Sequence, residues 1–208
     1  MRLFESRKPM VAAVQGAAAG GGLGLACAAD FRVADPATRF VANLARPGIH
    51  QGFGLTVTLP ELIGNQAAAD LLLRGGTVRG AEAARSGLVD RLVEPGEQRA
   101  AAIAPATEIA GAAPLAVASI RATLRAGLAE RVRRALEHEL AEQTKQWRTA
   151  DAAEGIAAGL ERRAPRLHRS VTARGRCSGS FPLVGTGPSI RRSSRNYVAP
   201  MRSNGPAT

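Results

Sequence analysis

Apolar residues along the first 169 positions fall into short runs separated by glycine, proline and charge, and the period of those runs changes along the chain. Met10-Val-Ala-Ala-Val14 is a continuous apolar run that stops before Gly16, the pattern of a short strand buried on both faces. Phe31–Ala34 predicts a second strand and Arg39–Val41 a brief third. Residues 22–29 predict a short helix that stops near Asp30. Leu55–Ile63, then 66–73 and 81–85, predict further helices, with a strand over 88–93. From Gln98 onward the pattern is helical. Leu128, Val132, Leu136 and Leu140 recur every four residues, and Trp147 extends that face, so these five predict the buried stripe of a long helix. Asp151 followed by Glu154 resembles a capping box that opens a last helix. Strand–helix alternation followed by an all-helical third predicts an α/β fold, and the lack of a fixed-period repeat excludes a solenoid.

Two regimes meet near Arg169. Beyond it, residues 170–208 are dominated by glycine, serine, proline and arginine without a sustained period, and we expect them to form a disordered tail. Ahead of it we expect two regions: 1–95 with the strands and a glycine-rich loop, and 96–169 with the helices. At 208 residues the chain is long enough for one domain with a real core. Its apolar share of 45% with only 3% aromatic residues favours closely packed helices over a β-sandwich. The net charge of +11 points to an anionic partner, but the tail holds arginines and no acid and so supplies much of the excess. That tail offers only Phe181 and Tyr197 for base stacking, which argues against nucleic acid as the partner. Cys27 and Cys177 have no further cysteine or histidine at ligand spacing, so neither a disulfide framework nor a metal site is expected. Cys27 lies in an apolar run and reads as a small core residue. No run approaches the length of a membrane span and no signal peptide opens the chain, so a cytoplasmic protein without a membrane partner is the expectation.

The most informative segment is Gly16-Ala-Ala-Ala-Gly20-Gly21-Gly22-Leu-Gly24-Leu-Ala-Cys-Ala-Ala-Asp30. A strand that feeds a glycine loop and then a helix aims backbone N–H groups at an anion. A Walker loop requires Lys-Ser/Thr after its last glycine, which is absent. A dinucleotide fingerprint starting at Gly20 requires glycine or alanine where Leu25 stands. What remains is a glycine whose N–H faces one developing oxyanion at the positive end of a short helix. The same glycines would equally serve close helix–strand packing.

The runs KPMVAAVQGAAAGGGLGLACAADFRVADPATRF, PGIHQGFGLTVTLPELIG, AAADLLLRGGTVRGAEAARSGLVDRLVEP and DAAEGIAAGLERRAPRL together resemble the crotonase family, the enoyl-CoA hydratase/isomerase superfamily, over about residues 7–167. The resemblance implies a spiral ββα core, here its C-terminal part, followed by an all-helical region that builds a trimer or hexamer and closes over the acyl pocket. It implies an acyl-CoA thioester as substrate, with no cofactor besides, and an oxyanion hole in which Gly21 is the second backbone donor. Ala19, Gly20, Gly21, Asn43, Leu44 and Gly52 match positions beside the substrate, and Arg162, in the last helical stretch, is placed to meet a phosphate of coenzyme A or else to end a solvated helix.

The chain departs from the family pattern in two ways. Hydratases place one glutamate where Gly24 stands and another in a Pro-Glu pair that aligns with Asn43-Leu44. Neither glycine nor leucine moves a proton, so hydratase activity is not expected to be ordinary. His50 is the only histidine in this stretch and is the candidate substitute base. The first oxyanion donor and much of the coenzyme pocket come from a segment well upstream of the glycine loop, and Met1 stands close ahead of that loop. The competing expectation is therefore a truncated, non-catalytic remnant or an interaction protein that folds only with a partner.

Overall fold

The computed structural model describes residues 1–168 and 197–200. Its elements follow one another as β1 (Met10–Val14), β2 (Ala17–Ala19), α1 (Gly21–Ala28), β3 (Phe31–Ala34), β4 (Arg39–Val41), a 3₁₀ turn (Asn43–Ala45), α2 (Leu55–Ile63), α3 (Asn65–Arg74), β5 (Thr77–Arg79), α4 (Gly80–Arg85) and β6 (Arg91–Leu92). Four helices follow: α5 (Gln98–Ala110), α6 (Pro114–Leu124), α7 (Leu128–Gln146) and α8 (Ala150–Leu160); a last strand, β7, spans Tyr197–Pro200.

The first half is a spiral of ββα turns. The first two turns each add one strand to each of two sheets and then helix, and the chain then adds β5 to the second sheet, α4, and β6 to the first. β1, β3 and β6 lie parallel in one sheet, with Val11 opposite Phe31 and Val33 opposite Arg91. β2 and β4 lie parallel in the other, Ala17 opposite Arg39, and β5 adds antiparallel to β4. Between the strands Leu23, Phe40, Leu55, Leu59 and Leu88 are fully buried and form one core with β1. The crotonase-like architecture expected from the sequence is thus present, with the helical region following it.

Several elements differ from the sequence reading. Ala17–Ala19 looked like loop, because three alanines carry no strand preference; pairing with β4 makes them a strand. β5, Thr77-Val-Arg79, was not foreseen either: Thr77 and Val78 favour a strand, but three residues are too few to show an alternating pattern. The strand expected over 88–93 shrinks to Arg91–Leu92, since Leu88 and Val89 both donate to the Ala83 carbonyl and enter the core from a turn. Thr149, not Asp151, caps α8, its hydroxyl accepting from the Ala152 N–H at 3.1 Å. Asp151 instead accepts from the His168 N–H, and Glu154 pairs with Arg163. Most of the expected disordered tail lies outside the described residues. Within it Tyr197–Pro200 forms β7, which pairs antiparallel with the free edge of β1, Ala12 opposite Val198.

The helical region is tied to the spiral by buried charge. The Asp30 carboxylate, at the end of α1, accepts from the Met10 N–H at 2.7 Å and pairs with Arg121 and Arg125 of α6 at 3.0 and 2.9 Å. Arg125 also donates to the carbonyls of Ala28 and Ala29, which satisfies the end of α1. Arg32, fully buried, ties β3 to Asp90 and to the Leu88 carbonyl. Among the described residues no single helix is long and apolar enough to cross a membrane.

Two predictions follow from this packing. Asp30→Ala leaves two largely enclosed guanidinium groups without their carboxylate and is expected to cost about 3 kcal/mol in urea unfolding, whereas Asp30→Asn, which still accepts from the Met10 N–H, is expected to cost less. Cys27 is buried, and burial pushes its thiol up to about 12. An unfolded thiol titrates near 8.5, so the folded state keeps this proton while the unfolded state loses it. Stability therefore falls as pH rises from about 8.5 towards 12, and Cys27→Ala is expected to flatten that fall when unfolding is measured between pH 7 and 10.

Candidate active site

The glycine loop is placed by the second sheet. β2 ends at Ala19, and the next N–H, that of Gly20, donates to the Val41 carbonyl at 3.0 Å. Gly20 then turns with φ 51, a conformation that favours glycine, and its carbonyl accepts from the Gly24 N–H to open α1. Gly21 is the first residue of α1, so its N–H has no helical acceptor. It is exposed, and it stands at the positive end of the helix dipole.

Two apolar side chains flank this N–H. Leu44, in the 3₁₀ turn, brings Cδ1 to 3.9 Å from where a Gly20 Cβ would stand. Phe53 brings Cδ2 to 3.9 Å from the corresponding position of Gly21. The same ring fills the space above Gly24: a Cβ there would meet Phe53 Cγ at 2.7 Å and Cδ1 at 2.8 Å, with Phe53 Cβ closer still. Position 24 thus has no room for a side chain of any kind while Phe53 stays where it is.

Phe53 holds φ 64, the left-handed region, where a bulky residue is strained, and Gly54 follows with φ 72. α7 grips this loop through its polar side chains. Glu139, 1% exposed, accepts from the Gly54 N–H at 2.9 Å and from the Thr56 hydroxyl at 2.7 Å, which also caps the start of α2. Gln143 Nε2 donates to the His50 carbonyl at 2.9 Å, and the His50 N–H donates to Gln146. Gly52 lies against Gln143, whose Nε2 is 2.9 Å from where a Cβ would be.

His50 therefore belongs to the α7 contact. Its Nδ1 lies 2.8 Å from the Gln51 carbonyl oxygen, and its ring packs edge-to-face on His138 at 5.8 Å between centroids. None of its hydrogen bonds reaches the glycine loop. Asn43 is exposed at the start of the 3₁₀ turn, and Arg162 is exposed just past α8, its N–H donating to the Gly159 carbonyl. Of the residues expected at the site, the loop brings together Ala19, Gly20, Gly21 and Leu44.

The sequence reading missed three residues. Phe53 carries no signal of its role, because only the fold brings it over Gly24. Gln51 is buried; its Nε2 donates to the Ala42 carbonyl at 3.0 Å, and its Oε1 has no hydrogen-bond partner among the described residues. Glu139 did leave a signal. The stripe of α7 runs through buried Leu128 and Val132 and partly buried Leu136 as expected, but continues through buried Glu139 and half-buried Gln143 and Gln146, whereas Leu140 is 65% exposed and Trp147 also faces solvent. Those polar residues fall at the spacing of a helical seam, one step away from the leucines that drew the eye.

The family model described as enoyl-CoA hydratase/isomerase matches residues 1–169. A probable enoyl-CoA hydratase, echA8, of Mycobacterium leprae is 37% identical over 173 residues, covering 81% of this chain and 66% of the relative. The crotonyl-CoA hydratase of Syntrophomonas wolfei is 37% identical over 163 residues, covering 78% of this chain and 63% of the relative. The chain thus spans just under two thirds of the length of these curated relatives. Among solved structures, a carnitinyl-CoA dehydratase from Mycobacterium avium superposes with a TM-score of 0.71 at 30% identity, covering 79% of this chain and 65% of that one. An enoyl-CoA hydratase from Mycobacterium avium subsp. paratuberculosis gives 0.74 at 25% identity, covering 79% and 67%.

Removing the Glu139 carboxylate leaves the buried Gly54 N–H without an acceptor and releases the exposed Thr56 hydroxyl to solvent. Glu139→Ala is expected to lower the unfolding free energy by about 1–3 kcal/mol and to speed hydrogen exchange at Gly54 and Thr56 before any other part of α2.

Proposed function

Since the chain belongs to the enoyl-CoA hydratase/isomerase family, we propose that it binds an acyl-CoA thioester with the thioester oxygen on the Gly21 N–H, which stabilises the negative charge that gathers there when the acyl group becomes enolate-like. The observation that carries this reading is the exposed, helix-leading Gly21 N–H between Leu44 and Phe53. One hydrogen bond aimed from a helix N-terminus at a developing oxyanion is worth about 10²–10³ in rate in an oxyanion hole.

Ordinary hydration is not part of this proposal. Adding water across a double bond requires groups that activate the water and deliver a proton. The two positions where hydratases of this family carry glutamate hold Gly24, covered by Phe53, and Leu44, an apolar wall. His50 is turned towards His138 and α7. A chain that polarises the thioester without a carboxylate beside it binds and activates acyl groups but hydrates them slowly, and the loss of even one general acid–base group accounts for about 10²–10⁴-fold.

A second reading concerns assembly. Leu115 and Leu124 of α6 are each 81% exposed, and Ile120 between them is 60% exposed. These side chains continue the apolar wall of a cavity of about 500 Å³ that opens beside Asp30 and Arg121, at the end of β1 away from the glycine loop. Such a surface suits association with further copies of the chain as a trimer or hexamer, or with another polypeptide.

Titration calorimetry with acetoacetyl-CoA, on a sample whose oligomeric state is measured in parallel, tests the proposal. Saturable binding is expected. Gly21→Pro removes the N–H while suiting the first turn of a helix, and is expected to weaken binding about tenfold or more, as for a hydrogen bond to a charged acceptor. Equal affinity of Gly21→Pro and the unaltered chain would overturn the assignment of Gly21.

A further inference from the structure

Phe53 and Gly24 fit each other as an exchanged pair: one position has given up its side chain and the other fills the space from across the loop. Nothing in the fold's core demands this. Phe53 is 38% exposed, so its inner edge packs on Gly24 while its outer part faces the space in front of Gly21. It holds this place at a left-handed φ of 64, which glycine would adopt without strain. A strained, half-exposed aromatic residue beside a free backbone donor marks a site where the strain serves the ligand.

We propose that Phe53 is the specificity-determining residue of the site and that Glu139 is its positioning residue, so that the site takes short, unbranched acyl thioesters. This rests on the reading that a thioester oxygen sits on the Gly21 N–H. Phe53 Cδ2 lies 3.9 Å from where a Gly21 Cβ would stand, so the ring borders the residue whose N–H would hold the carbonyl oxygen, and the first two acyl carbons would lie near it. A branch on either carbon meets the ring. The ring in turn cannot retreat, because Gly24 and Gly54 are both pinned. Gly54 donates to Glu139, and a Cβ on Gly54 would meet Val132 Cγ1 at 2.8 Å, so this backbone lies directly on α7. Glu139 thus acts on the acyl group through Phe53, without touching it.

The test compares butyryl-CoA with isobutyryl-CoA, which differ by a branch at the first acyl carbon, in titration calorimetry with free coenzyme A as the control. The unaltered chain is expected to prefer butyryl-CoA by about tenfold or more, the scale of one ill-fitting methyl group. Phe53→Ala is expected to bring that preference to within about twofold. Phe53→Gly, which relieves the left-handed strain, is expected to do the same and keeps the test sound if the alanine variant folds poorly. Glu139→Gln is expected to narrow the preference while leaving the affinity for free coenzyme A unchanged, which a merely structural role would not do. An unchanged preference in both Phe53 variants overturns the proposal and leaves the thioester site standing. No binding of either thioester by the unaltered chain or by the folded Phe53 variants overturns the thioester reading, and the proposal with it. Binding that appears only once Phe53 is replaced also overturns the proposal, since the ring then blocks the site instead of selecting short, unbranched acyl groups.

Discussion

One hydrogen bond decides which glycine of the loop is free to act. β2 and β4 pair in parallel for three residues, and the Gly20 N–H continues that ladder to Val41. Gly20 is thereby committed to the sheet, and the next N–H, that of Gly21, is the first one released from it. The start of α1, the direction of its dipole and the place of Leu44 beside the loop all follow from this rung. A shift of one residue in the pairing would commit Gly21 and release Gly22 in its place, and the period of two would turn every side chain of β2 to the opposite face.

Two acids hold junctions of the fold. Asp30 gathers two arginines of α6 and an N–H of β1 where the helical region meets the spiral. Glu139 gathers an N–H and a hydroxyl where α7 meets the loop that carries Phe53. Both are satisfied by several donors, the condition under which a buried carboxylate holds a geometry well instead of weakening it. The helices that follow the spiral thus hold both ends of it. α6 is fixed at the start of β1, and α7 at the loop beside Gly21.

Much of the fold was legible in the sequence because it rests on local pattern. Met10–Val14, Phe31–Ala34, Arg39–Val41 and Leu55–Ile63 match the observed elements to the residue. Continuous apolar runs ended by glycine or charge are the signal of buried parallel strands, and this chain follows that rule. β2 was hidden because the strand character of three alanines comes from their partner, and β5 because three residues are too short to show a pattern. The stripe on α7 was half legible: leucines were counted as its continuation where the fold uses Glu139 and Gln143. At the site, Gly21 could be picked out from the loop and the resemblance together. Phe53 could not, since a single aromatic residue between glycines says nothing about which distant glycine it will cover.

β7 carries a consequence for the order in which the molecule forms. β1 and the strand that covers its outer edge lie far apart in sequence, with α1 to α8 between them. β3 can add to the other side of β1 early, because the connection is short. The outer edge waits for a strand that follows α8, and until that strand docks it presents unpaired backbone groups on a fully apolar strand. Closing so long a loop is slow compared with forming the local ββα turns. The folding route is therefore sequential, with a state that is already spiral but still open along one side, and with β7 acting as the closing step.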